Sequence, residues 1–310
     1  MSETSLPERK ISLLASLLAA SLCVLWGANT VAIKFTLSGL GPFTSAAVRF
    51  GASTLFLWAW AKKSGQSLRP ATGQLGPLLI NSLLFTVQLS LVYVGFTRTS
   101  ASRGALITNL QPFFLLFLAH FFLAGDRITV LKLIGLVLGF AGAACIFWDR
   151  SALNADFMVG DLLLLAATFI WACSAAYTKH LVQNISSIQI VFYQLLFSIP
   201  LFALGASLWD APMVLRIDYG IVAAIAFQVV LTTSFAFVAW NRLLQTYGAV
   251  ALHSFVFLIP VSGVFLAGML LGEPITEMIV LALVLITAGI LTVQLGHRRD
   301  VAAILHGQPR

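Results

Sequence analysis

The sequence predicts an all-α integral membrane protein of ten transmembrane helices in two inverted five-helix repeats. Three observations carry that expectation. Of 310 residues, 59% are hydrophobic and 9% charged, against about a quarter charged in a soluble domain; the mean hydropathy is +0.97. The apolar residues fall into ten runs of the length a hydrocarbon core requires, about 20 helical residues each. Two Gly-acid signatures also recur 147 residues apart: Leu123-Ala124-Gly125-Asp126-Arg127-Ile128-Thr129 and Leu270-Leu271-Gly272-Glu273-Pro274-Ile275-Thr276.

The runs cover approximately 11–33, 42–61, 73–96, 99–123, 129–148, 158–179, 187–208, 217–240, 247–271 and 277–296. They are continuous rather than alternating, which excludes a β-barrel. Turn chemistry separates them at Ser38 to Pro42, Ser64-Gly65, Asn154 to Asp156, Asn184 to Ser187 and Asp210 to Pro212. The first run exceeds the apolar region of a cleaved signal peptide and reads as a retained signal-anchor span.

The formal net charge of +7 does not point to nucleic acid, because the basic residues sit in short loops and form no stripe. With the N-terminus cytoplasmic, the inner segments carry twelve of the Lys and Arg and the outer segments five, with Arg49 inside a span. That bias predicts both termini in the cytoplasm. Cys23, Cys145 and Cys173 lie in apolar runs without metal-binding spacing, so neither a metal nor a disulfide is expected.

The repeat extends beyond the signatures. Trp26 to Lys34 aligns with Trp171 to Lys179 at an offset of 145, Ala141-Gly142 with Ala288-Gly289 at 147, and Pro112 with Pro260 at 148. The expected halves are residues 1–149 and 150–310, the second ending in a short cytoplasmic tail. Five spans is an odd number, so the second half enters the membrane from the opposite face. Inverted halves can exchange conformations and expose one site to either side of a membrane.

Trp26-Gly27-Ala28-Asn29, Arg49-Phe50, Thr99 to Ser102 leading toward Pro112, and the Gly-Asp and Gly-Glu signatures together resemble the EamA branch of the drug/metabolite transporter superfamily. The resemblance covers residues 11 to 296. It implies movement of small metabolites, often export of amino acids or related compounds. One departure is Asp126, where the family more commonly has Glu. Import or exchange of a vitamin- or nucleoside-like metabolite is the alternative. A channel ranks lower, as does a membrane enzyme, since the sequence has no HExxH, GxSxG or mid-span acid pair. No cofactor is expected. The expected partners are a small-molecule substrate and the lipid bilayer, with a homodimer left open. Short loops suit a bacterial inner membrane.

Polar side chains within spans are costly and face the protein interior. The candidate substrate contacts are Trp26, Asn29, Asn81, Gln88, Asn109, Trp171, Tyr177, Gln228 and His253, with Gln111 and Gln194 on the wider polar list. Each polar member has interhelical bonding as its alternative role. Pro112 and Pro260, inside spans at matched places, are candidate hinges because proline removes a backbone donor. Asp126 and Glu273 read as helix corners, the glycine turning the chain and the acid capping the helix that follows. Arg49 reads as a structural or electrostatic residue, with attraction of an anionic substrate group an open alternative. No Asp or Glu lies near the middle of a span. His253 has the side chain suited to protonation near neutral pH, but a neutral, hydrogen-bonded state is the simpler expectation.

Overall fold

A computed structural model of the chain describes residues 11–122, 128–149 and 155–305. The described residues form α1 (Leu13–Thr36), α2 (Pro42–Lys63), α3 (Leu75–Arg98), α4 (Ala101–Thr108), α5 (Gln111–Phe122) and α6 (Val130–Trp148). They continue as α7 (Ala155–Leu181), α8 (Ser187–Trp209), α9 (Tyr219–Ala226), a π-helical stretch Phe227–Phe235, α10 (Ala236–His253), α11 (Leu258–Leu271) and α12 (Glu277–Leu305).

Among the described residues, six segments are long and apolar enough to cross a membrane: Leu13–Thr36, Leu75–Arg98, Val130–Trp148, Ala155–Leu181, Ser187–Trp209 and Glu277–His297. The run 42–61 is the single helix α2, while the remaining three depart from the simple ten-run expectation in informative ways. The run 99–123 is two helices, α4 and α5, with a turn at Asn109-Leu110. The runs 217–240 and 247–271 are redistributed. The helix begun by α9 continues to His253, and the chain turns only at Ser254 to Phe257. Between Ala236 and His253 there is no proline, and the single Gly248 costs a helix only about 1 kcal/mol. The turn therefore forms just ahead of Pro260.

Both prolines thus differ from the expected mid-helix kinks. Pro112 is the second residue of α5 and Pro260 the third of α11, where the missing N–H has no helical carbonyl to meet. Around each, the chain tightens into three-residue hydrogen bonds: Leu110 to Ile107 and Phe113 to Leu110, then Leu258 to Phe255 and Ile259 to Val256. Each proline starts a helix after a break instead of bending one.

The most extensive helix pairings join the two halves of the chain: α6 along α12, α3 along α7, α1 along α11 and α2 along α8. Small residues permit the approach, as in membrane bundles generally. A Cβ on Gly289 would stand 2.7 Å from the Gly135 carbonyl oxygen, and one on Gly27 2.7 Å from that of Ile259. Inside, Phe50, Tyr93, Phe96, Phe113, Leu164 and Phe202 form the centre of the largest apolar cluster. Outside, large apolar side chains such as Leu55, Leu79, Val137, Leu204 and Val284 are exposed, the arrangement expected where lipid is the solvent.

Candidate central cavity

A cavity of about 900 Å³ lies between the helices, near the upper end of the ~300–1,000 Å³ typical of ligand sites. Trp26, Asn29 and Ile33 of α1, Arg49 and Phe50 of α2, and Gln88 and Val92 of α3 line one side. Asn109, Gln111 and Pro112 come from the α4–α5 break, Trp171 and Ser174 from α7, and Gln194 from α8. Thr232 and Thr233 of the π-helical stretch and Trp240 adjoin the α1 and α2 residues, and Val256 and Ile259 complete the lining. Near the start of α6 and towards the end of α12 the wall is Lys132, Gln294 and the exposed His297.

The π-helical stretch shapes one corner. Its wider winding lets Thr233 donate to the Gln228 carbonyl five residues back, at 2.8 Å, and π-turns of this kind recur at functional sites. Thr232 donates to Asn29 Oδ1 at 3.2 Å, while its carbonyl accepts from Trp26 Nε1 at 3.4 Å. Trp26 meets Trp240 edge-on, ring centres 5.1 Å apart. Beside them Arg49 is 9% exposed. It donates to Gln228 Oε1 at 3.1 Å, Tyr93 Oη at 3.4 Å and Thr233 Oγ1 at 3.4 Å, and its guanidinium carbon lies 5.2 Å from the Phe50 ring centre.

Of the sequence candidates, Trp26, Asn29, Gln88, Asn109, Trp171 and Pro112 line the cavity. Asn81, Tyr177, Gln228 and Pro260 do not. Asn81 is fully buried and accepts hydrogen bonds from Ser174 and Thr178 at 3.2 Å each, tying α3 to α7. Tyr177 packs on Leu78, Leu181, Ile185 and Ile190. Gln228 is turned toward Arg49 and donates to Thr36 Oγ1 at 2.8 Å. Pro260 is buried in α11. The side chain of His253 lies outside the described residues, as do Gly125 and Asp126. Sequence reasoning missed Lys132 and His297, which look like loop and tail charges, and Thr232 and Thr233, whose hydroxyls hide in an apolar run. The pairing of two threonines close to the polar Gln228 was the available signal.

Outside the cavity lining, a cluster of polar contacts joins the two halves of the chain. Glu273 follows Gly272, whose φ of 65° ends α11 in the left-handed region. Its carboxylate accepts from the Ala101 and Ser102 N–H groups at 2.6 and 2.8 Å and from the Ser102 hydroxyl at 2.7 Å. Glu273 therefore caps α4, in the other half of the chain. The expected capping of the next helix is not made by Glu273; Thr276 caps α12 instead, accepting from the Ile279 N–H at 3.2 Å. Beside this cap Arg103 pairs with Asp161 and Asp149, and it donates to the Ile146 carbonyl at 2.7 Å. Thr99 donates to Asp161 at 2.6 Å and Thr276 to Asp149 at 2.9 Å. Lys34 closes the end of α3 through the Phe96 and Thr99 carbonyls, both at 2.7 Å. Phe96 is also part of the cavity wall.

A bundle of apolar helices around a large, mostly apolar cavity that carries a few polar groups fits a membrane transport protein. Residues 13–148 and 158–295 match the model of the EamA-like transporter family, and the chain belongs to that family. It is 26% identical to the uncharacterized transporter YoaV of Bacillus subtilis, over 87% of this chain and 93% of that one. It is 28% identical to a probable amino-acid metabolite efflux pump of Salmonella typhimurium, over 88% and 92%. A probable amino-acid metabolite efflux pump of Escherichia coli is also 28% identical, over 88% and 92%. A solved crystal structure shares the fold with a TM-score of 0.68 and 19% identity, covering 92% of this chain and 98% of that one. The protein is a multi-pass membrane transporter.

Proposed function

We propose that this transporter exports amino acids or related polar, amphipathic metabolites by alternating access around the central cavity. One observation supports the reading: exposed His297 belongs to the cavity lining, whereas the bonded Glu273 and Arg103 residues do not. A channel would need a continuous path; a carrier needs one end closed at a time. On this reading ten spans form two inverted halves, residues 1–149 and 150–310, with both termini cytoplasmic in a bacterial inner membrane. The open end then faces the cytoplasm, as loading for export requires. The two relatives described as probable amino-acid metabolite efflux pumps support the cargo class.

The cavity chemistry is compatible with such cargo. Trp26, Trp171 and Trp240 offer aromatic surface, and Gln88, Asn109 and Gln194 offer amide donors and acceptors. The test is flux by purified protein in liposomes, with amino acids and their derivatives as probes. The expected result is saturable uptake accelerated by the same solute on the opposite side. Conductance that does not saturate overturns the reading.

A further inference from the structure

We infer that the Arg49 corner of the cavity is a binding site for the carboxylate of an organic anion, and that the cargo need not carry an amine. The inference rests on the carrier reading and narrows its substrate class. A guanidinium stays charged at any physiological pH, and burying a charge without a counter-charge is strongly unfavourable, more so within a membrane. Yet the hydrogen-bond partners of the Arg49 guanidinium, Tyr93, Gln228 and Thr233, are all neutral. No ion pair to it exists among the described residues, and its Nε is buried without a hydrogen-bond partner. Arg103, also inside the bundle, is differently placed, paired with two aspartates.

The cavity around Arg49 has the same bias. Its charged or chargeable lining residues are Arg49, Lys132 and His297, and no Asp or Glu contributes to the described wall. Among the described wall residues a cationic solute would find no carboxylate, and a zwitterion only half of what it needs. A carboxylate supplies the charge that Arg49 lacks, and Thr233, which accepts from the guanidinium, places that corner at the cavity wall. An apolar body fits the remaining surface, which includes Phe50, Phe85, Val92 and Trp26. The ligand class is therefore a monocarboxylate with an apolar or aromatic body.

Three probes share one body and differ in charge: hydrocinnamate, phenylalanine and phenethylamine. Binding to the purified full chain, read as thermal stabilisation, is expected to follow hydrocinnamate over phenylalanine, with phenethylamine giving none. Arg49→Gln should weaken hydrocinnamate about tenfold or more, the loss of one charge-assisted contact. Gln228→Glu places a carboxylate beside Arg49 without removing it, so it should weaken hydrocinnamate similarly in a protein that still melts cooperatively. Arg49→Lys should retain part of the affinity. Failure of hydrocinnamate to bind, binding of phenethylamine as tightly, or unchanged hydrocinnamate affinity in both Arg49→Gln and Gln228→Glu overturns the anion site. Flux separates the two readings. Hydrocinnamate that binds but shows no saturable exchange sinks the carrier reading and leaves the site standing. Saturable exchange indifferent to probe charge does the reverse.

Discussion

The carboxylate of Glu273 holds both the backbone N–H and the hydroxyl of Ser102, at 2.8 and 2.7 Å, although 171 residues separate them. This contact joins the end of α11 to the start of α4 and so ties the two halves of the chain together; on the alternating-access reading it belongs to the closed end. Opening that end requires these bonds to break together with the neighbouring Arg103 pairs.

Glu273→Ala is expected to leave the Ala101 and Ser102 N–H groups without their acceptor, a loss of about 1.5–3 kcal/mol from the closed arrangement. Its measurable consequence is access. With Cys23, Cys145 and Cys173 replaced by alanine, a Val92→Cys reporter in the cavity wall should react faster with an impermeant thiol reagent added at the Glu273 side. An unchanged rate would show that the cap does not contribute to the seal.

Asn81 and Gln88 share one face of α3 but have different surroundings. Asn81→Ala removes the acceptor shared by Ser174 and Thr178, so it should lower the melting stability by about 0.6–1.7 kcal/mol and leave the KM for cargo unchanged. Gln88→Ala, in the cavity wall, should raise KM with little change in melting. Transport kinetics and thermal melts on the same preparations distinguish the two.

Glycine positions give a sharper stability contrast. Gly289→Val forces a side chain toward the Gly135 carbonyl, where even a Cβ would stand at 2.7 Å, so separation of α6 from α12 and loss of folded protein are expected. A Cβ on Gly51 would meet nothing within 4 Å, so Gly51→Ala should stabilise α2 by up to about 1 kcal/mol. Yield of monodisperse protein and melting temperature check both.

The Trp26 indole combines aromatic contact with a polar tether to the Thr232 carbonyl. Trp26→Phe keeps most of the ring and loses the tether; Trp26→Ala loses both. A graded rise in KM, larger for alanine, is expected in the exchange assay. Equal effects would assign the function of Trp26 to the hydrogen bond alone.

The membrane class, the helical runs and most breaks were legible because hydrophobicity and turn residues act locally. Trp26, Asn29, Gln88, Asn109 and Trp171 could be picked out because polar and aromatic groups inside apolar runs are conspicuous. Asn81 and Gln228 are just as conspicuous, but their partners lie on α7 and on α1 and α2, far away in sequence, and no local pattern separates a cavity wall from an interhelical bond. Glu273 shows the same limit: Gly272 announces its corner, while the helix it caps is chosen by packing. The division of 99–123 at Asn109 depended on a proline whose position at a helix start, rather than in a helix interior, is a tertiary outcome.

Alternating access is decided by which side of the membrane reaches Val92. With the Cys-free Val92→Cys protein in oriented membranes, the thiol should react from the His297 end when no cargo is present and be protected from the Glu273 end. During cargo exchange it should become reactive from the Glu273 end, with a compensating loss at the other. Reactivity confined to one end under every condition, or simultaneous access from both, would contradict a carrier that opens one end at a time.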